Sequence, residues 1–106
     1  MHETDTQKFR LALEAARQDI VTAVHQWHDG GGRDEDLALL VEGEPGGKPT
    51  VKAMTRVHLE QTIVGFDPTI AIEFVKQIPG RVPAVVDLRD VARRIFWIDL
   101  TPPMTW

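Results

Sequence analysis

The chain of 106 residues has a formal net charge of -4 and no cysteine, which excludes disulfide scaffolds, thiolate metal sites and cysteine nucleophiles. Its 42% hydrophobic and 26% charged residues are ordinary globular values, and its length suits a single α+β domain over residues 1–106. The net charge is negative, whereas a nucleic-acid-binding arm is expected to carry an excess of basic residues. No apolar run is long enough for a signal peptide or a membrane span, so we expect a cytoplasmic protein.

Residues 5–28 are predicted to form one long amphipathic helix. Apolar residues recur there at spacings of three and four, which places them on one helix face: Phe9, Leu13, Ala16, Ile20, Val24 and Trp27. Residues 30–32 are all glycine, and glycine tolerates the left-handed backbone with which many helices end. The pattern therefore predicts that this helix ends close to His28.

Two strands joined by a turn are predicted next. The segment LALLVEG at 37–43 is apolar at five of its first six positions, which indicates a strand buried on both faces. The segment TVKAMTRVHLE at 50–60 alternates between an apolar face and a wet face, the wet face holding Lys52, Arg56 and His58. We expect an antiparallel hairpin, and residues 61–66 form either a third strand or a continuation of the second.

The last third of the chain is predicted to be mainly helical. An Asp-Pro pair at 67–68 suits a helix start, and the apolar residues that follow share one face: Ala71, Phe74, Val75 and Ile78. A second helix begins either at Pro83 or near Asp87, in the latter case after a short strand at 82–86. Its core-facing residues would include Leu88, Ala92 and Ile95. The expected fold class is α+β: a long N-terminal helix, an antiparallel β-hairpin or small three-stranded sheet, and two C-terminal helices packed on one face.

His25 and His28 are the candidate metal ligands. Imidazoles three residues apart share a helix face and can bind zinc, nickel or iron. A complete site would need a further ligand, which His58 or His2 could supply. The H-E-x-x-H spacing of zinc hydrolases is absent. The alternative is that both histidines are solvated and interact with the dipole at the helix end.

No catalytic or cofactor motif is recognised in the chain. In EGEPGGKPT, Glu42 stands where a phosphate-binding loop needs its first glycine, and Pro49 stands where it needs Ser or Thr. Serine and tyrosine are absent from the whole sequence, and no nucleophile lies beside a candidate base. These observations argue against an enzyme, and we expect no cofactor.

Arginine and tryptophan near the C-terminus are the candidate partner-binding residues. Trp97 lies three residues after Arg94, and an exposed tryptophan near arginine is typical of interface hot spots. The alternative is that Trp97 and Trp106 complete the core. The predicted binding set is Arg89, Arg93, Arg94, Trp97 and Trp106.

The leading functional hypothesis is a small protein-interaction module that acts as an adaptor, inhibitor or immunity-type factor and forms a homodimer. It depends on the missing catalytic groups, the long apolar stripe and the uncovered edges expected of a small sheet. Two alternatives remain: a metal-dependent enzyme or sensor using His25 and His28, and nucleic-acid binding by a helix that carries Arg89, Arg93 and Arg94.

Overall fold

The structure, a computed structural model, describes residues 3–43, 47–63, 78, 80–88 and 93–100; for residues 3–5 and 63 it describes the backbone alone. Three α-helices, four β-strands and a short 3₁₀ turn follow one another along these residues. In chain order they are α1 Glu3–Ala15, α2 Arg17–Asp29, the 3₁₀ turn Asp34–Asp36, β1 Leu37–Gly43, β2 Thr50–Thr55, α3 Arg56–Ile63, β3 Arg81–Leu88 and β4 Arg94–Asp99.

The N-terminal helix carries the predicted apolar stripe, but it is divided in two at Ala16. Ala16 has φ -90° and ψ -2°, at the edge of the right-handed helical region, and no glycine or proline marks the break in the sequence. The N–H of Ala16 still donates to the Ala12 carbonyl at 3.0 Å, and the N–H of Ile20 donates to the Ala16 carbonyl at 2.8 Å. The stripe still faces the core on both helices, because Phe9, Leu13 and Ile20 are almost completely buried. Residues 5–28 therefore form two consecutive amphipathic helices and not one.

The predicted hairpin is confirmed. Strands β1 and β2 are antiparallel, with Leu37 opposite Thr55 and Glu42 opposite Thr50. Leu39 and the adjacent Ala38 point to opposite faces of the sheet, and both are fully buried. Burial on both faces is what the nearly continuous apolar sequence of β1 indicated.

The predicted continuation of β2 as a strand is wrong, because the chain turns into α3 at Arg56. The Thr55 hydroxyl accepts a hydrogen bond from the backbone N–H of His58 at 3.1 Å, which is the geometry of a helix N-cap. Leu59 is fully buried and packs against Ala38 and Val85. The third strand proposed for 61–66 is also wrong over residues 61–63, which are helical; residues 64–66 lie outside the described part.

The second of the two predicted C-terminal helices is wrong, since strands β3 and β4 occupy residues 81–88 and 94–99. The short strand considered for 82–86 exists but continues through Leu88. The valines of this segment are β-branched and fully buried, and they fit a central strand better than a helix. The helix predicted from 67 to 78 lies outside the described residues apart from Ile78.

The four described strands form one mixed sheet in the order β2-β1-β3-β4, not a hairpin or a three-stranded antiparallel sheet. The central pair is parallel, with Leu39 opposite Ala84, and β3 pairs antiparallel with β4, with Val82 opposite Ile98. A parallel central pair requires a long connection between its strands, and the segment between β1 and β3 supplies it.

The described helices lie on both faces of the sheet, which corrects the expectation that helices pack on one face. The main core joins α1 and α2 to the face formed by Leu39, Ala84 and Ile98. Leu59 of α3 packs on the opposite face. No helix of the described residues is long and apolar enough to cross a membrane.

Candidate protein-interaction edge

Strand β4 is an edge of the described sheet, and its backbone has a defined outward side. The N–H of Leu100 donates to the carbonyl of Gly80 at 2.9 Å. Hydrogen-bonded pairs alternate in an antiparallel ladder, so Phe96 and Ile98 direct their backbone groups toward β3. The N–H and C=O groups of Ile95 and Trp97 therefore point away from β3. We call residues 93–99, with these outward groups, the β4 edge.

The β4 edge is apolar in its middle and charged at its ends. Four apolar residues run from Ile95 to Ile98, with arginines at 93 and 94 and an aspartate at 99. Ile95 and Trp97 lie on the α3 face of the sheet, and both are partly buried. On the other face, the ring centroid of Phe96 lies 5.7 Å from that of Phe9. The middle of the edge is therefore packed from both faces and retains accessible apolar surface.

Arg56 positions Trp97 at this edge. The Arg56 guanidinium lies 5.8 Å from the Trp97 ring centroid, within cation–π range. Its Nε donates to the Leu37 carbonyl at 3.0 Å, and its Nη2 donates to the carbonyls of Asp34 at 3.1 Å and Arg81 at 3.3 Å. One side chain thus joins the start of β1, the start of β3 and the indole of β4.

Pro83 explains why the Leu37 carbonyl needs Arg56. Extending the β1–β3 register by one residue sets Pro83 opposite Ala38, where a residue with an N–H would donate to Leu37. Proline has no N–H, and Arg56 Nε supplies the missing donor. This replacement makes a proline acceptable in a central strand, where it is otherwise rare.

The Arg56 side chain carries its charge in a partly buried setting. Burial lowers the pKa of the Arg56 guanidinium, and the nearby carboxylates of Asp36, Asp34 and Glu35 oppose that change. An arginine begins so far above neutral pH that the group stays protonated there. Its hydrogen bonds to carbonyls are therefore charge-assisted, which makes them stronger than neutral ones.

Of the predicted binding residues, Arg94 and Trp97 lie in strand β4 and Arg93 lies directly before it, not on a helix. Arg93 Nε lies 3.0 Å from Asp87 Oδ2, and the Arg94 guanidinium lies 5.3 Å from the Phe96 ring centroid. Successive strand residues point to opposite faces, so Arg93 and Arg94 do not form one basic surface. Arg89 and Trp106 lie outside the described residues. Of the predicted set, the structure thus brings Arg93, Arg94 and Trp97 together at one strand.

The candidate metal ligands are not brought together with a third ligand among the residues described. His25 is exposed, and His28 Nε2 contacts a carboxylate oxygen of Asp34. His58 lies in the first turn of α3 and not on the wet face of the hairpin, and His2 lies outside the described part. No group of three or more His, Asp or Glu residues in the described part could hold a metal ion.

The segment containing these histidines closes a loop onto the core. Trp27 Nε1 donates to the Arg33 carbonyl at 2.9 Å. Gly31 has φ 85°, and a Cβ at Gly32 would lie only 2.5 Å from Trp27 Nε1, so both positions require glycine. Together with the contact between His28 and Asp34, these features fix the path from α2 to β1.

Sequence reasoning missed two features of this site. Arg56 was assigned to an exposed strand face, although its partners lie 19 to 25 residues away along the chain. Ile95 was assigned to a core-facing helix. The capping hydroxyl of Thr55 was the signal that could have placed Arg56 at a helix start. No local pattern indicates the outward direction of the Ile95 backbone, because that depends on the pairing with β3.

The described residues define a small α+β protein with a mixed four-stranded sheet, in which β4 is an edge with an apolar centre. Comparisons with models of protein families, with curated proteins and with solved structures found no match to this chain. The fold has no matching family from which a function could be transferred, so the function has to be argued from the chemistry of the site.

Proposed function

We propose that the chain is a small cytoplasmic protein-interaction module, an adaptor, inhibitor or immunity-type factor, which binds its protein partner at the β4 edge. The observation that carries this proposal is the combination of outward backbone groups at Ile95 and Trp97 with an apolar strand centre. An edge of this kind is a template for an added strand.

The backbone and the side chains of the edge contribute differently to binding. The outward N–H and C=O groups offer hydrogen bonds that any extended segment can form, so they support affinity without selecting a sequence. Selectivity comes from the side chains that flank the added strand, mainly Ile95 and Trp97 on the α3 face. Arg56 holds the indole of Trp97 in place, which reduces the entropy that an anchor residue loses on binding.

The test compares a charge placed on each edge of the sheet. Trp97→Lys introduces a lysine at the β4 edge, and Thr50→Lys introduces the same charge on the same sheet face at the β2 edge. Each variant and the wild-type chain are used as bait in extracts of the native host, and captured proteins are quantified by mass spectrometry. We expect Trp97→Lys to reduce capture by about tenfold or more, because lysine protects an edge against added strands.

The matched control must behave differently for the proposal to stand. Thr50→Lys should capture the same proteins as the wild type, a second copy of the chain included. Circular dichroism and thermal melting show whether both variants keep the fold. Equal capture by folded Trp97→Lys and by wild type would contradict the assignment of the β4 edge, as would equal losses in both variants.

A further inference from the structure

We infer that the partner at the β4 edge is a second copy of this chain, whose own β4 strand pairs antiparallel with the first about a two-fold axis at Phe96. The inference rests on the proposed function, because it names the partner of the same edge. The result would be one continuous eight-stranded sheet, formed by joining the four described strands of each copy.

The geometry of β4 restricts how two copies can pair. Ile95 and Trp97 carry the outward backbone groups, so hydrogen-bonded pairs across the axis must form between odd-numbered residues. Opposing residues in an antiparallel pair also point to the same sheet face. Both conditions are met only when the two-fold axis passes through a residue and not between two residues. Within the apolar run, the axis can therefore lie at residue 95, 96, 97 or 98.

Charge complementarity selects the register centred on Phe96. In it, Ile95 lies opposite Trp97 of the second copy, and Arg93 lies opposite Asp99, each pairing occurring twice. The register centred on Trp97 would set Ile95 against the carboxylate of Asp99. The registers centred on Ile95 and on Ile98 would set Trp97 against Arg93 and Asp99, respectively. Opposite charges directly across a strand pair are favourable, whereas a carboxylate against an apolar side chain is not. The register centred on Ile95 would gain a contact between Arg93 and the Trp97 ring. Of the four registers, only the one centred on Phe96 sets Arg93 opposite Asp99, and it also sets Arg94 opposite Ile98.

The groups at the ends of β4 do not have to give up their own contacts. Arg93 holds Asp87 within its own chain at 3.0 Å. A guanidinium has five N–H donors and a carboxylate about four acceptor sites, so both can form bonds within the chain and across the axis. The paired charges therefore add to the existing network at both ends of the interface.

The pairing also buries the β4 edge, which is open to strand addition, and leaves β2 at the outside of the joined sheet. Strand β2 would be the outermost strand at both ends of the eight-stranded sheet. It carries Lys52 at its centre, 63% exposed, and an exposed lysine on an edge discourages further strand addition. Assembly would therefore stop at two copies, as a closed two-fold dimer requires.

The experiment reverses one charge at a time and then mixes the two variants. In Arg93→Asp, each copy presents two carboxylates across the axis, and in Asp99→Arg each copy presents two guanidiniums. A mixture of the two variants restores both attractive pairs in the heterodimer without further substitution. Dissociation constants are measured by sedimentation equilibrium on the purified full chain, with circular dichroism to verify folding.

We expect the wild type to be a dimer and each variant alone to dissociate about tenfold more readily, because like charges oppose each other twice. The equimolar mixture should recover wild-type affinity to within about threefold. The neutral variants Arg93→Gln and Asp99→Asn should weaken the dimer less and should gain nothing on mixing. They keep the test informative if a reversed charge disturbs folding.

Three results would overturn the inference: a wild type that stays monomeric, single variants with unchanged affinity, or a mixture no tighter than its components. The outcome is separable from that of the proposed function. A monomeric wild type that still captures a different protein, with capture lost in Trp97→Lys, removes only the second copy as partner. Capture unaffected by Trp97→Lys removes the edge itself.

Discussion

Strands β2 and β4 are the two edges of the sheet that the described strands form, and their sequences differ in how polar the strand centre is. Strand β2 has polar residues at positions 50, 52 and 55, and Lys52 lies near its centre with its Nζ 3.4 Å from a carboxylate oxygen of Glu42. Strand β4 has four consecutive apolar residues at its centre and charges only at its ends. A lysine in the middle of an edge opposes strand addition, whereas an apolar centre favours it.

The difference teaches that the edges of a sheet have to be judged separately. Helix α2 packs against β2, and Val51 and Ala53 of β2 contact the main core from the same sheet face. Ile98 of β4 is fully buried in the main core, and Ile95 packs against the smaller cluster on the α3 face, but Ile95 and Trp97 are only partly buried there. Core packing alone therefore does not explain the sequence of β4.

The largest expected effect comes from proline in β4 and depends on which way each N–H points. Phe96→Pro removes a donor to β3, while Trp97→Pro removes one that points outward. Relative to alanine at the same position, we expect proline to lower the free energy of unfolding by about 3 kcal/mol at 96 and by less than about 1 kcal/mol at 97. Urea denaturation at one low protein concentration measures both differences.

The alanine variants serve as controls for the lost side chains, Phe96→Ala and Trp97→Ala. Equal penalties at the two positions would mean that the outer groups of β4 are hydrogen-bonded within the chain. In that case β4 would be no more open to a partner than a central strand. A small penalty at 97 combined with lost self-association would sharpen the contrast with β2.

A smaller effect is expected where Arg56 connects the core strands to Trp97. Arg56→Met keeps much of the stem but leaves the Leu37 carbonyl without its donor, which should cost about 1–3 kcal/mol in unfolding free energy. Pro83→Ala returns an N–H to β3, so it should recover about 1 kcal/mol in the Arg56→Met background and less in the wild type.

Arg81→Met is the matched control, since it removes the same charge from an exposed side chain at the start of β3. Urea denaturation of the wild type, Arg56→Met, Pro83→Ala and the double variant gives the coupling energy between positions 56 and 83. Strictly additive effects would show that Arg56 does not substitute for the proline. A loss in Arg81→Met as large as in Arg56→Met would attribute the effect to charge alone.

The parts of the fold that sequence predicted are those whose burial is one-sided or whose neighbours are local. Phe9, Leu13 and Ile20 recur with helical period because one face of each helix meets the core. The β1–β2 hairpin followed from two strands separated by a turn-rich segment. In both cases the pattern and the structure depend on residues close together in the chain.

The C-terminal strands could not be identified in this way. Strand β3 is buried on both faces, so its valines show no alternation, and Pro83 suggests a helix start more readily than a central strand. Leu88 and Ile95 also fit a helical spacing that has no structural meaning here. Burial on both faces is set by the pairing of β3 with β1 and β4, which no local pattern encodes.

The candidate site was predicted in composition but not in geometry. Trp97 and Arg93 were chosen because exposed tryptophan beside arginine suggests an interface. Their placement on a strand, the contact of Trp97 with Arg56 and the outward groups of Ile95 all depend on contacts between distant segments. A third ligand for His25 and His28 would also have to come from a distant segment, and the described residues bring no such ligand to them.

The smallest expected change in stability, with a clear change in assembly, comes from Lys52→Val. Valine suits a strand, so the free energy of unfolding should change by less than about 0.5 kcal/mol. The substitution gives β2 an apolar centre, and each copy then has two edges open to strand addition. Assembly no longer closes at two copies, so light scattering should detect particles larger than those of the wild type.

Thr50→Val, which keeps Lys52 on the same strand and sheet face, should leave the particle size unchanged. Equal sizes for Lys52→Val and wild type would show that the lysine does not protect β2, and the contrast between the two edges would then rest on backbone geometry alone.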